Sequence, residues 1–81
     1  MHVAMEDFGT GWCKIEIGIR EDEIDSLIKL LGMLKKDTSQ HFHAASYFRG
    51  DGGIADIEFF IETREVEDNM QLLGLAIPPN R

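Results

Sequence analysis

The chain has 81 residues, 43% of them hydrophobic and 28% charged, with a net charge of −7 at pH 7. A chain this short forms one domain, because it buries only roughly 60% of its unfolded surface and cannot divide a core in two. The apolar content excludes a disordered chain, and the acidity argues against sequence-independent nucleic-acid binding, which needs clustered Lys and Arg to release counterions.

The first patterned segment is residues 12–19, where Cys13, Ile15, Ile17 and Ile19 alternate with Trp12, Lys14, Glu16 and Gly18. This is the period of a half-buried strand, with the isoleucines inward and Lys14 and Glu16 outward beside Trp12. Cys13 falls on the inward side, where a thiol acts as a small hydrophobe, so nucleophilic chemistry is not expected of it. It is the only cysteine, so it has no intrachain disulfide partner, and a cytoplasmic protein is expected rather than a stapled secreted one. Residues 1–10 lack the basic start and apolar run of a leader. No stretch nears the roughly 20 apolar residues that cross a bilayer, so no membrane contact is expected.

From Glu21 to Lys36 the period becomes helical: Ile24, Leu27, Ile28, Leu31 and Leu34 form one stripe, widened by Leu30 and Met33. Glu21, Asp22, Glu23 and Asp25 crowd the first turn, and Lys35 and Lys36 close the last, which complements the backbone dipole at both ends. Asp37, Thr38 and Ser39 then form a loop.

Residues 41–48 and 54–62 are two β-rich runs around Arg49-Gly50-Asp51-Gly52-Gly53, which predicts a hairpin. Asp51-Gly52 suits a two-residue turn that requires positive φ at both positions. That turn pairs Phe48 with Ala55, Ser46 with Ile57, Ala44 with Phe59 and Phe42 with Ile61 on an apolar face. On the other face it pairs Tyr47 with Asp56, Ala45 with Glu58, His43 with Phe60 and His41 with Glu62. Farther on, Leu73, Leu75 and Ile77 alternate as a short strand, although Val66 to Gly74 also admits a helical turn. Pro78-Pro79 ends any regular element. The expected fold is therefore a single two-layer α+β domain over residues 1–81. One long helix packs on a three- to four-stranded, mainly antiparallel sheet in the order β-α-β-β with a short C-terminal strand. The ordered core spans about 12–77 and the tail 78–81.

Few residues suggest chemistry. Gly50 to Gly53 joins two strands instead of leading into a helix, so it does not cradle phosphate. Arg49-Gly50-Asp51 spells an adhesion tripeptide, but in a hairpin of a chain expected in the cytoplasm. Glu58 and Glu62 on an open face lack the burial that raises a catalytic pKa. No catalytic residue and no cofactor are expected. His41 and His43 have the spacing of two metal ligands on one strand face, with Glu62 as a loosely placed acid and His2 remote. Surface histidines are the expected reading, with a small metal-binding protein as an alternative.

What remains is an outer sheet face of Trp12, His41, His43, Tyr47, Asp56, Glu58, Phe60 and Glu62. Large aromatics within a charged rim are the composition of a protein-binding surface. An intramolecular cover, from residues 2–8 or the C-terminal segment, would use the same aromatics. The His41-Phe42-His43 motif, the hairpin and the acidic strand Ile57-Glu58-Phe59-Phe60-Ile61-Glu62 together resemble a small immunity-protein family of bacterial polymorphic toxin systems. The resemblance covers roughly residues 12–62. It implies stoichiometric inhibition of a cognate toxin by direct binding, with His41, His43 and the acidic strand as contacts and no catalysis, and the chain's acidity makes a basic toxin the expected partner. A homodimeric structural or regulatory domain is a further alternative.

Overall fold

The computed structural model describes residues 1–75, and the expectations placed on Ile77, Pro78-Pro79 and the tail lie outside them. The chain is α+β, with strands β1 (His2–Asp7) and β2 (Cys13–Gly18), a 3-10 turn over Glu21–Glu23, helix α1 (Ile24–Lys36), and strands β3 (His41–Ala45) and β4 (Asp56–Phe60).

The four strands do not share one sheet. β1 pairs antiparallel with β2, β3 pairs antiparallel with β4, and the two sheets are separate. This corrects the expected single sheet of three or four strands. The physical reason is locality, because each strand pairs with its neighbour in the chain and so closes only a short loop. β1 goes beyond what the sequence predicts, in which residues 2–8 serve at most as a cover. Its register sets Val3 against Ile17, Met5 against Ile15 and Glu6 against Lys14, which are apolar and opposite-charge pairs. The Phe8 amide donates to the Trp12 carbonyl at 3.1 Å to close the loop. Gly9 and Gly11 supply its positive φ values, 72° and 95°.

The helix follows its expected bounds. The 3-10 turn opens where Glu21, Asp22 and Glu23 gather, and α1 ends with Lys35 and Lys36 in its last turn. The Glu23 carboxylate accepts the Arg20 amide at 2.8 Å, satisfying a donor at the start. At the other end the Asp37 carboxylate accepts the Ser39 amide and hydroxyl at 3.0 and 2.6 Å, turning the chain toward β3.

In the second hairpin the faces follow the expected parity but the register does not. His41 lies opposite Phe60, Phe42 opposite Phe59, His43 opposite Glu58, Ala44 opposite Ile57 and Ala45 opposite Asp56. Each expected pairing is thus displaced by two residues. The turn is responsible. Residues 46–55 form a longer loop closed by the Ser46 amide donating to the Ala55 carbonyl at 2.9 Å. Positive φ falls at Phe48, Gly50 and Gly53 and not at Asp51 or Gly52. A two-residue displacement leaves every side chain on its original face, because strand side chains have period two. Phe42 and Phe59 then stack with ring centroids 4.7 Å apart.

Burial is slight. Leu34 is the only buried hydrophobic residue among those described, at 4% exposure. Phe42, Ala44, Ile57, Phe59 and Ile61 are half-buried, as is Leu27 on the helix. Cys13, Ile15, Ile17 and Ile19, expected in the core, are all exposed, because among the described residues no second layer covers β2. The described part of the C-terminal segment, 63–75, contains neither strand nor helix, so Leu73 and Leu75 do not begin the expected strand. The chain has a radius of gyration of 15.4 Å, against about 12 Å for a compact domain of this length.

Candidate functional site

The site is built on the outer face of β3 and β4. Alternation along β3 turns Phe42 and Ala44 toward the half-buried side, so His41 and His43 project together on the exposed side. The same alternation along β4 buries Ile57 and Phe59 in part and leaves Asp56, Glu58 and Phe60 outside. Register then decides which of these meet.

Glu58 stands across from His43. Its Oε1 lies 3.8 Å from His43 Nε2 and 3.9 Å from His41 Nε2. The two imidazoles meet edge to face, with centroids 5.0 Å apart. On the far side of His43, Nδ1 contacts both Asp56 oxygens, at 3.0 and 2.8 Å. An ionised carboxylate can only accept, so Nδ1 carries the proton in the neutral ring and Nε2 is left as its acceptor nitrogen. Asp56, His43, Glu58 and His41 thus cluster across two strands, with a hydrogen bond between Asp56 and His43 and longer contacts from Glu58 to both imidazoles.

The other expected site residues lie elsewhere. Glu62 was expected opposite His41 but sits beyond the end of β4, where it accepts from Arg64 Nε and Nη2, both at 2.8 Å, and from the Arg64 amide at 3.0 Å. Those hydrogen bonds hold its carboxyl at about 2, well below the usual carboxylate range. Phe60 keeps its outward position and lies under the Arg64 guanidinium at 5.4 Å. Tyr47, expected to face Asp56, is in the long loop at 89% exposure, with the Arg49 guanidinium 5.6 Å from its ring centroid. Trp12 is at the β1–β2 loop in the other sheet, 77% exposed. The expected continuous face therefore separates into a tight cluster (His41, His43, Asp56, Glu58), a neighbouring Phe60 and three outlying residues.

Sequence reasoning missed Asp56 as the partner of His43, Glu58 as the acid of the pair and Arg64 as the residue that holds Glu62. Parity placed the first two on the correct face, and only the loop length concealed their contact. An open cleft of about 440 Å³ adjoins the cluster, lined by Val3, His43, Ala44, Tyr47 and Ile54 among others. Elsewhere Lys14 and Glu16 pair at 2.8 Å on the outside of β2, which raises the Lys14 pKa and lowers that of Glu16. Among the described residues no helix is long and apolar enough to cross a membrane. No protein-family model, curated protein or solved structure matches the chain.

Proposed function

We propose that the chain is a non-catalytic protein-binding module whose partner supplies the second layer that β1 and β2 lack. The observation that carries this reading is uncovered apolar surface. Met5, Ile15 and Ile17 form an apolar row on the first sheet, with Ile15 and Ile17 at 56% and 43% exposure. Ile24, Ile28 and Leu31 are exposed along α1. The chain presents 8147 Å² to solvent, whereas a compact monomer of its mass presents about 4,900 Å². That excess is total surface, and the exposed apolar side chains within it mark a recognition surface or a liability.

The charge selects the partner's chemistry. A net charge of −7 and the acidic pair Asp56 and Glu58 on the outer face favour a basic protein, attracted and oriented by the field before apolar contact forms. Trp12 and Tyr47, exposed on separate loops, are the aromatic anchors of such a contact. In its most specific form, supported by the resemblance to immunity proteins, the partner is a cognate toxin that the chain inhibits by occupying its surface.

The test is co-purification with the product of the adjacent reading frame, followed by titration in chelator-treated buffer. A one-to-one complex weakened at least tenfold by Tyr47→Ala or Glu58→Lys supports the reading. Unchanged affinity in both variants removes the outer face from it. A stable homodimer of the chain alone at micromolar concentration replaces the foreign partner with a second copy.

A further inference from the structure

We infer that His41, His43 and Glu58 form a binding site for a divalent transition cation of the zinc type, with Asp56 as the residue that orients His43. This inference does not rest on the partner-binding reading, and it is tested on the chain alone.

The donor set is the first argument. His41, His43 and Glu58 each offer one ligand atom, and the three atoms lie within 4.8 Å of one another. Two imidazoles and a carboxylate suit a borderline cation, and three protein ligands with an open position are the usual composition of a reactive zinc site. In a tetrahedral zinc site with bonds of about 2.0–2.2 Å, neighbouring ligand atoms stand roughly 3.4 Å apart. The Glu58 oxygen is 3.9 and 3.8 Å from the two imidazole Nε2 atoms. Closing those two gaps takes about half an ångström, and bringing the whole trio in from within 4.8 Å takes at most about 1.4 Å, which rotations of exposed side chains supply.

The contact behind the ligand points the same way. His43 Nδ1 donates to Asp56 at 2.8 Å. A ligating histidine characteristically gives its other N–H to a carboxylate, which fixes the tautomer, aims the ring and strengthens the remaining nitrogen as a donor to the metal. That arrangement is already in place here. It also accounts for Asp56, an acidic side chain held against His43 on an otherwise sparsely organised surface.

The two strands add a mechanical reason. His41 and His43 come from β3 and Glu58 from β4, so a bound cation joins the two strands in the observed register. Displacement by two residues toward the alternative pairing would set Phe60 opposite His43 and break the site. A cation that binds this register alone therefore stabilises it against the slip, in a chain whose core offers little else to do so. Each ligand side chain is about half exposed, so the remaining coordination position faces solvent.

The experiment is titration of the chelator-stripped chain with Zn²⁺, followed by calorimetry and thermal unfolding, with Co²⁺ as a spectroscopic probe. Saturable one-to-one binding is expected, with the melting temperature rising by roughly 10–20 °C at about a hundredfold excess over Kd. The Co²⁺ form should show visible bands of a four-coordinate nitrogen–oxygen site, a readout that needs no variant. His41→Ala, His43→Ala and Glu58→Gln should each weaken binding tenfold or more. Asp56→Asn should weaken it by roughly 10–100-fold while leaving the Co²⁺ bands in place, as expected of a positioning residue. Glu62→Gln should bind as the unaltered chain does. Absence of saturable binding by the unaltered chain overturns the inference. So does binding that survives Glu58→Gln or is lost in Glu62→Gln, and circular dichroism in chelator identifies any variant that has merely unfolded. If a variant unfolds, Zn²⁺-dependent shifts of the His41 and His43 ring resonances in the unaltered chain decide the matter, since unmoved rings exclude the site.

Discussion

The two hairpins share one pattern of cross-strand apolar pairs and differ sharply in what covers it. β1 and β2 bring Val3, Met5, Ile15 and Ile17 to one face, and β3 and β4 bring Phe42, Ala44, Ile57 and Phe59 to one face. Only the second hairpin shows alternating burial; β2 is exposed along its whole length. Alternation records which side chains share a face, whereas burial depends on what stands opposite that face. The second hairpin gains part of its cover from its own stacked phenylalanines. The first has cross-strand pairs but, among the described residues, no layer above them.

The most forceful way to break this contrast is to empty its buried positions. Leu34→Ala should cost about 3 kcal/mol and Phe42→Ala or Phe59→Ala about 2 kcal/mol, through lost burial and, for the phenylalanines, lost stacking. Ile17→Ala should cost under about 1 kcal/mol because its side chain has little cover to lose. Urea unfolding of the four variants checks the order, and an Ile17→Ala loss equal to that of Phe42→Ala would show that the first hairpin has a hidden layer.

The turns sharpen the comparison at smaller scale. Gly9 has φ +72° with nothing within 4 Å of an added Cβ, so Gly9→Ala should cost about 1 kcal/mol from backbone strain alone. Phe48 is a non-glycine residue at φ 56° in the other loop. Phe48→Gly removes the same kind of strain, so it should hold or raise stability in the same urea assay, whereas Gly9→Ala lowers it.

The smallest effect is the titration of Glu62. Its pKa is lowered in the folded chain to about 2, chiefly by the Arg64 side-chain hydrogen bonds. The sign follows from linkage: the contribution is present above the ordinary carboxylate range and is lost as pH falls through about 2. Carboxyl NMR should place the Glu62 midpoint there, and Arg64→Ala should return it toward ordinary values. An unchanged midpoint would mean that the guanidinium does not hold the carboxylate.

Much of the local structure was legible in the chain itself. The helical stripe with acid at its start and lysine at its end located residues 21–36, and parity placed His41, His43, Asp56 and Glu58 outward. What was hidden depends on longer-range choices. Asp51-Gly52 has the chemistry of a tight turn, yet the longer loop closed by Ser46 and Ala55 lets Phe42 and Phe59 stack, and that contact selects the register. The exposure of Ile15 and Ile17 was equally out of reach, since alternation cannot report a missing layer. The first strand did leave a cue, because Phe8-Gly9-Thr10-Gly11-Trp12 is a glycine-bearing hairpin loop following an alternating Val3 and Met5.

A sheet of two strands has no interior member. Among the described residues, each of β1, β2, β3 and β4 therefore keeps one flank of amide and carbonyl groups unclaimed by another strand, and such flanks template the addition of further chains. Mutual repulsion among copies bearing a charge of −7 opposes that growth. The repulsion extends only about 8 Å at physiological ionic strength, so salt weakens the molecule's defence against its own polymerisation while leaving the templating flanks intact.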